Sequence, residues 1–397
     1  MSNFLVAFDK CKGSLSSHDL CNLAETVLKG RFPNSTISKV PLTDGGEGFV
    51  QILTEAGRGS FHDLQVIDSI GREKLVNFGI CDIRNLNSRV IEYLDLPKQG
   101  KVAIVEMAVA AGLADLPTEK RNPWETSTYG VGQILKETGK LGVDAVLLGI
   151  GGSSTNDAGI GALSALGANF EYDSEESLDI PYPSTWSSIK AVKFDDLVEL
   201  PPIKVACDVG NTLFGENGAT SCYGPQKGLS LDEIIQFEEE LKKILTSFTP
   251  YFPDALDKSN KKGSGAAGGM GYGLSLAYDV NLVEGFNLVS NWFGIDKQIQ
   301  EANFVITGEG RFDKSSLYGK GPFEILRLAD GCKTPSLIMA GSVEEEAVTA
   351  VFRQYQFCDV IAFGRPDWTL DKNLYFAKEQ FTETLHKFVF PEIDECV

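Results

Sequence analysis

NFLVAFDKCKGSLSSHDLCNLAETVLKGRFPNSTISKVPLTDGGEGFVQILTEA, residues 3–56, is the stretch on which the fold turns. Phe4 to Phe8 is a short apolar run that ends in Asp9 and reads as a buried strand. Ser16-Ser17-His18-Asp19 then opens a periodic segment, with Leu20, Leu23, Ala24, Val27 and Leu28 on one face of a helix. Pro33-Asn34-Ser35 breaks it, and Thr36 to Val40 alternates as a second strand. Asp44-Gly45-Gly46-Glu47-Gly48 leads into a further periodic helix from Phe49 to Ala56. Strand and helix alternate, so the sheet is parallel and the class is α/β. Parallel sheets carry ligand loops at the carboxyl ends of their strands, here Asp9 to Ser14 and Asp44 to Gly48, and the two loops are expected to share one cleft.

Further along, Lys74 to Cys81 and Val102 to Glu106 alternate, and the polar interruption from Asn85 to Lys101 suggests an antiparallel hairpin region. Thr128 to Thr138 reads as a helix, Ala145 to Gly149 as a buried strand and Ile160 to Leu166 as a helix after a glycine loop. Residues 172–190, rich in Asp, Glu, Ser and Pro, read as a surface excursion. Ile203 to Cys207 is a strand, Leu231 to Thr246 an acidic amphipathic helix, and Pro250 to Gly265 a polar loop. The last hundred residues return to α/β alternation, with strands Phe304 to Thr307, Ser336 to Ala340 and Val360 to Phe363 and a closing helix from Lys372 to Phe388.

A chain of 397 residues exceeds what one core usually holds, so two domains are expected. Lys and Arg total 36 against 55 Asp and Glu, and the resulting charge of -19 repels phosphate backbones and anionic membranes. Neither nucleic acid nor membrane is an expected partner. An anion-binding enzyme with this charge must gather basic groups or N–H donors locally. The eight cysteines include no CxxC and read as reduced, and the first strand lacks the basic flank and apolar length of a signal segment, so cytoplasmic placement is expected. Three histidines, without HExxH or HxH spacing, make a histidine metal site or triad improbable.

Much of the glycine lies in loops after strands, where it lets N–H groups converge on phosphate oxygens. Any one such loop is equally a tight turn. The strongest phosphate cradle is Gly149-Ile150-Gly151-Gly152-Ser153-Ser154-Thr155-Asn156-Asp157, after the strand Val146-Leu147-Leu148 and before a helix. GxxxxGK[ST] is absent, which removes a P-loop core. Gly263-Ser264-Gly265-Ala266-Ala267-Gly268 matches GxGxxG but follows no strand, so a close-packing helix start is favoured over a dinucleotide site. Carboxylates end four strands: Asp9, Asp44, Asp208 and Glu309. Phosphoryl transfer needs a magnesium ion and a group that orients or deprotonates the attacking hydroxyl, and Asp or Glu serves both. Each alone is also an ordinary helix N-cap. Basic residues among these loops are Lys10, Lys12, Lys227, Arg311 and Lys320, with Lys12, Arg311 and Lys320 weighted above the charge run Lys258 to Lys262.

These motifs resemble the bacterial-type glycerate kinases. Similar are Asp9 with Lys12-Gly13-Ser14-Leu15, Val40-Pro41-Leu42 with Asp44 to Gly48, Glu106-Met107-Ala108 with Ala111-Gly112-Leu113, and Thr126-Ser127-Thr128-Tyr129-Gly130-Val131-Gly132. The Gly149 to Asp157 loop, Cys207-Asp208-Val209, Gly224-Pro225-Gln226-Lys227-Gly228, Gly265 to Gly269 and Thr307-Gly308-Glu309-Gly310-Arg311 with Lys320 complete the set, up to about residue 345. The resemblance implies ATP- and Mg2+-dependent phosphorylation of D-glycerate, commonly at the 2-hydroxyl. It also implies a Rossmann- or flavodoxin-like domain from both chain ends (1–78 plus 295–397), an inserted α/β domain (79–294) and a cleft between them. The catalytic candidates are Asp44, Asp208, Glu309, Lys12, Arg311 and Lys320, with Asp208 and Glu309 also as magnesium ligands. Substrate and phosphate candidates are Asp9, Ser14, Gly45, Gly46, Ser127, Gly151, Gly152, Ser153, Thr155, Asn156, Lys227 and Asp313. Departures from the pattern are Phe8, Lys10, Cys11, Trp124 and Gly321, with long segments 85–101 and 172–190. A kinase of another small hydroxy acid, a 3-phosphoglycerate-forming enzyme, a sugar-acid sensor and a dinucleotide oxidoreductase are the rivals. D-glycerate is the expected partner, and a homodimer the candidate assembly.

Overall fold

The computed structural model describes residues 2–173 and 180–391. Part of the 172–190 excursion, and Cys396, therefore lie outside the described residues. The chain divides into two compact units, Met1–Thr43 with Val289–Val397, and Asp44–Leu288. Among the described residues the strands are β1 (Asn3–Phe8), β2 (Thr36–Lys39), β3 (Ser60–Ile67), β4 (Glu73–Asp82), β5 (Lys101–Glu106), β6 (Ala145–Gly149), β7 (Asn169–Tyr172), β8 (Ile189–Lys193), β9 (Ile203–Ala206), β10 (Val280–Val283), β11 (Phe304–Phe312), β12 (Ser336–Val343) and β13 (Cys358–Ala362).

The first unit is a five-stranded parallel sheet in the order β13-β12-β11-β1-β2. Numbered within the unit and read from β2, this is 2-1-3-4-5, the flavodoxin-like order whose switch point lies between β1 and β11. The sheet is covered on both faces, which is why its central strands β1, β11 and β12 carry buried, mainly apolar runs, while the edge strand β2 is partly polar. One face packs Phe4, Val6, Phe8, Phe304 and Met339 against helix Ser17–Arg31 and against Phe381 and Leu385 of helix Ala377–Lys387. Phe381 stands edge-on to Phe8 at 5.3 Å and to Phe363 at 5.5 Å. The other face packs Phe312, Ile338 and Ala340 against Leu326, Ala347 and Val351. Helix Ser17–Arg31 starts where the sequence places it: Ser16 Oγ accepts the Asp19 N–H at 3.1 Å, and the Asp19 carboxylate accepts the Ser16 N–H at 3.0 Å.

The second unit holds a six-stranded sheet, β10-β9-β6-β5-β4-β3, in which β3 to β5 run antiparallel and β5, β6, β9 and β10 run parallel. A separate hairpin, β7 with β8, packs into a second core around Phe237, Leu241 and Phe248. The compact units divide at 43/44 and 288/289, and β3, which pairs with β4 along its whole length, lies with this sheet in the second unit; position 78/79 falls inside β4. Two expectations are adjusted. The closing helix is two, Leu370–Tyr375 and Ala377–Lys387, divided at Phe376. Strand β11 runs on to Phe312, paired as Glu309 with Ala340 and Arg311 with Ser342, so both side chains leave a strand instead of a following loop. No helix among the described residues is long and apolar enough to cross a membrane.

Candidate active site

In the first unit the loops after β1 and β11 flank the switch point, the position where open α/β sheets take ligands. Asp9 closes β1, its N–H donating to the Gly308 carbonyl at 2.9 Å and its carboxylate accepting the Lys10 N–H at 2.7 Å. Glu309 is 6% exposed. Lys320 Nζ stands 3.6 Å from Glu309 Oε2, while Glu309 Oε1 is buried and accepts no hydrogen bond. Burial pushes the Glu309 carboxyl up; bonding from Ser316 and the charge of Lys320 oppose it, and Asp313 adds to it.

Lys320 occupies the cap position of helix Gly321–Gly331 without a capping bond from its side chain. Arg311 is 70% exposed and its Nε lies 3.2 Å from Asp313 Oδ2. Asp313 is occupied locally: its Oδ1 accepts the Ser315 N–H at 2.8 Å and the Ser315 hydroxyl at 2.6 Å, which holds its acid constant down. Lys12 and Ser14 are exposed on the turn from Cys11 to Leu15, where the Ser14 hydroxyl donates to the Cys11 carbonyl at 3.3 Å. In this unit Asp9 follows β1, Glu309 and Arg311 stand on β11 with Asp313 just beyond it, and Lys320 reaches Glu309 from the start of helix Gly321–Gly331.

In the second unit the loop after Thr43 is pressed against the loop after β6. Gly151 N–H donates to the Gly45 carbonyl at 3.0 Å, and Gly46 N–H to Asp44 Oδ1 at 3.1 Å. A Cβ on Gly151 would lie 2.7 Å from the Gly46 backbone, and one on Gly149 2.4 Å from the Gly45 oxygen, so these glycines are required for backbone to meet backbone. The N–H groups of Gly46 and Gly151 are consequently spent inside the protein. Gly152 is bound differently, its carbonyl accepting the Leu113 N–H at 2.8 Å.

Asp208 follows β9, exposed, with Oδ1 accepting the Gly285 N–H at 2.6 Å at the start of helix Gly285–Phe293. Its acid constant is pushed up to about 6, first by the crowding that strips its water and then by the negative charges of Asp44 and Glu284, against the bonds from Gly285 and Phe286. Glu284 escapes a reading of the sequence, because nothing local ties residue 284 to 208. Among the described residues no group of three or more His, Cys, Asp or Glu side chains is placed to hold a metal ion.

Four of the residues expected to touch a ligand are packed inside this unit. Ser127 is 1% exposed, its N–H on the Ser69 carbonyl and its hydroxyl oxygen accepting the Tyr129 N–H at 3.3 Å. Asn156 Nδ2 donates to Thr220 Oγ1 at 3.0 Å, and the Thr155 side chain is fully buried. Lys227 is 2% exposed and donates to Ser153 Oγ at 3.0 Å and to the Thr155 carbonyl at 2.6 Å. The organiser of this packing is Asp157, buried. It accepts the Thr128 N–H and hydroxyl at 2.8 Å, and the Gly161 and Gly159 N–H groups at 3.1 and 3.2 Å. It thus ties the starts of helices Tyr129–Lys140 and Ile160–Ala165. An Asp shortly before a predicted helix was the available signal.

Comparison with known proteins gives one consistent result. Residues 4–389 match the model of the glycerate kinase family. The chain is 36% identical over 355 residues to the glycerate kinase of Haemophilus influenzae, covering 86% of each chain. It is 33% identical over 346 residues to the glycerate 2-kinase of Escherichia coli, again with 86% of each covered. A crystal structure from Salmonella typhimurium LT2, named for glycerate kinase 2, superposes with a TM-score of 0.75 at 28% identity, over 97% of this chain and 96% of that one.

Proposed function

The chain belongs to the glycerate kinase family, whose members are phosphotransferases, and from that premise we propose that it transfers the terminal phosphoryl group of ATP to the 2-hydroxyl of D-glycerate, giving 2-phospho-D-glycerate. What best supports a proton-accepting step is Asp208, a strand-end carboxyl with its acid constant raised to about 6, where it is ionised at neutral pH yet basic enough to take a hydroxyl proton as the new O–P bond forms. Glu309, on β11, is a second carboxyl that burial pushes upward.

In this reading Lys12, Arg311 and Lys320 supply positive charge for the glycerate carboxylate and the transferring phosphoryl group. Gly152 and Ser153 face the nucleotide phosphates. Magnesium is commonly held by one or two carboxylates together with phosphate oxygens. Asp208, in the second unit, and Glu309, in the first, with a buried oxygen that accepts no hydrogen bond among the described residues, are each a carboxylate donor of that kind. Bound there, Mg2+ would neutralise charge on the phosphates. The chain's own contribution is to orient the hydroxyl, accept its proton and keep water from the phosphoryl group.

Incubation with D-glycerate and MgATP, coupled in one portion to enolase and in another to phosphoglycerate mutase plus enolase, tests the reading. Signal with enolase alone establishes 2-phosphoglycerate. Signal that requires the mutase moves transfer to the 3-hydroxyl, and silence in both transfers the activity to another hydroxy acid.

A further inference from the structure

The mechanism above leaves a buried lysine unused. Lys227 lies in Gly224-Pro225-Gln226-Lys227-Gly228 and forms no ion pair among the described residues; Asp157 acts on it only as a nearby charge. An ammonium withdrawn from water without a carboxylate partner is costly, and an apolar side chain of similar volume would serve packing better. Burial indeed pulls its acid constant down to about 7, against the pull of Asp157. A group kept at such a cost points to the site it touches.

What it touches is specific. In its charged form the Lys227 amine has three N–H donors and no acceptor, so Ser153 Oγ, 3.0 Å from Lys227 Nζ, then serves as an acceptor and directs its own proton elsewhere. The second bond, to the Thr155 carbonyl, pins the backbone two residues on. On the opposite side the same loop is fastened by Ser154, whose N–H and hydroxyl donate to the Ala111 carbonyl at 2.8 and 3.0 Å. Of the three hydroxyls in Ser153-Ser154-Thr155, that of Ser154 is spent on Ala111 and that of Thr155 is sealed at 0% exposure. Ser153 is buried but keeps the largest residual exposure of the three, at 8%.

We propose that Lys227 is a positioning residue: it holds Ser153 Oγ as an acceptor so that the Ser153 hydroxyl presents its proton to a phosphate oxygen of the bound nucleotide. The proposal rests on the reading that the Gly149–Asp157 loop receives a nucleotide phosphate. It differs from direct phosphate binding by Lys227, which its 2% exposure and two internal bonds disfavour.

Steady-state kinetics on the full chain, varying MgATP and D-glycerate separately, tests it with Ser153→Ala, Lys227→Met, Lys227→Gln and the Ser153→Ala/Lys227→Met double variant. Loss of one hydrogen bond to a charged group should raise the KM for MgATP about tenfold or more in Ser153→Ala and in Lys227→Met, with kcat and the KM for D-glycerate within about twofold. The double variant should be no worse than Lys227→Met, because both act through one hydroxyl. Lys227→Gln, whose amide can still donate to Ser153, should recover part of the loss. Additive effects, or a Ser153→Ala enzyme with an unchanged KM for MgATP, overturn the proposal while leaving the kinase reading intact. Should Lys227→Met fail to fold, Ser153→Ala and Lys227→Gln decide alone. A wild-type protein that does not phosphorylate glycerate with ATP removes the functional reading and this proposal together.

Discussion

Replacing Glu284 by Gln should move the pH profile of the enzyme without removing any group assigned to the reaction. Asp208 titrates near pH 6 because it is partly stripped of water and because Asp44 and Glu284 add negative charge around it. If Asp208 must be ionised for turnover, kcat/KM has an acid limb at about 6, and at pH 5 the rate is about one tenth of its plateau. Removing the Glu284 charge relieves one of three upward pressures. Since Glu284 is exposed and screened, the limb should fall by about half a pH unit, raising the relative rate at pH 5 about threefold. Added salt should have the same sense in the wild type and a smaller effect in the variant. Stability obeys a linked sign: a carboxyl with its folded acid constant above the unfolded one contributes stability fully below about pH 4, and loses it as pH rises through about 6. Asp208→Asn should therefore match the wild type in stability near pH 4 and exceed it above pH 6, while losing activity about 10²-fold or more. Enolase-coupled rates between pH 4.5 and 8 measure the limb. A limb near 4, or one that does not move in Glu284→Gln, refutes the reasoning.

Glu309→Gln should lower kcat about a hundredfold or more with the circular dichroism spectrum unchanged, because a buried carboxyl facing Lys320 is replaced by a neutral isostere; a rate within twofold of wild type would remove Glu309 from the machinery. Phe381→Ala should cost about 3–5 kcal/mol in urea unfolding, read as a lower midpoint at constant slope, since the ring is fully buried between Phe8 and Phe363; a loss under about 1 kcal/mol would mean the site collapses around the deletion.

Where local pattern suffices, the sequence reading and the structure coincide: Ser16 and Asp19 cap a helix whose apolar stripe is the one that packs on β1. The strand order is a different matter. Parallel pairing of Phe4 with Phe304 joins segments that share no local signal, and only the family resemblance anticipated a domain made from both chain ends. Asp44–Gly48 reads as a ligand loop and Gly149–Asp157 as a phosphate cradle, whereas the Gly151 N–H is consumed in holding one loop to the other and the Gly46 N–H is bonded to Asp44 within its own loop. Glycine composition cannot separate close approach to a ligand from close approach to backbone. Lys227 shows the same limit for charge. A lysine between glycines looks exposed on paper, and its burial depends on Ser153 and Thr155, 74 and 72 residues away.

The first unit is bonded across the length of the chain, as when the Thr307 hydroxyl donates to the Ala7 carbonyl 300 residues earlier. On a ribosome adding about 5–20 residues per second, β1 and β2 leave the exit tunnel tens of seconds before β11 exists to pair with them. Asp44–Leu288 can be completed within that interval; the Phe-rich first strand must wait with an unpaired edge, the condition under which nascent chains aggregate. Phe381 and Leu385, which cover that strand, are made later still. Biogenesis of this protein is thus a race in which a strand made early waits for the late segments that bury it.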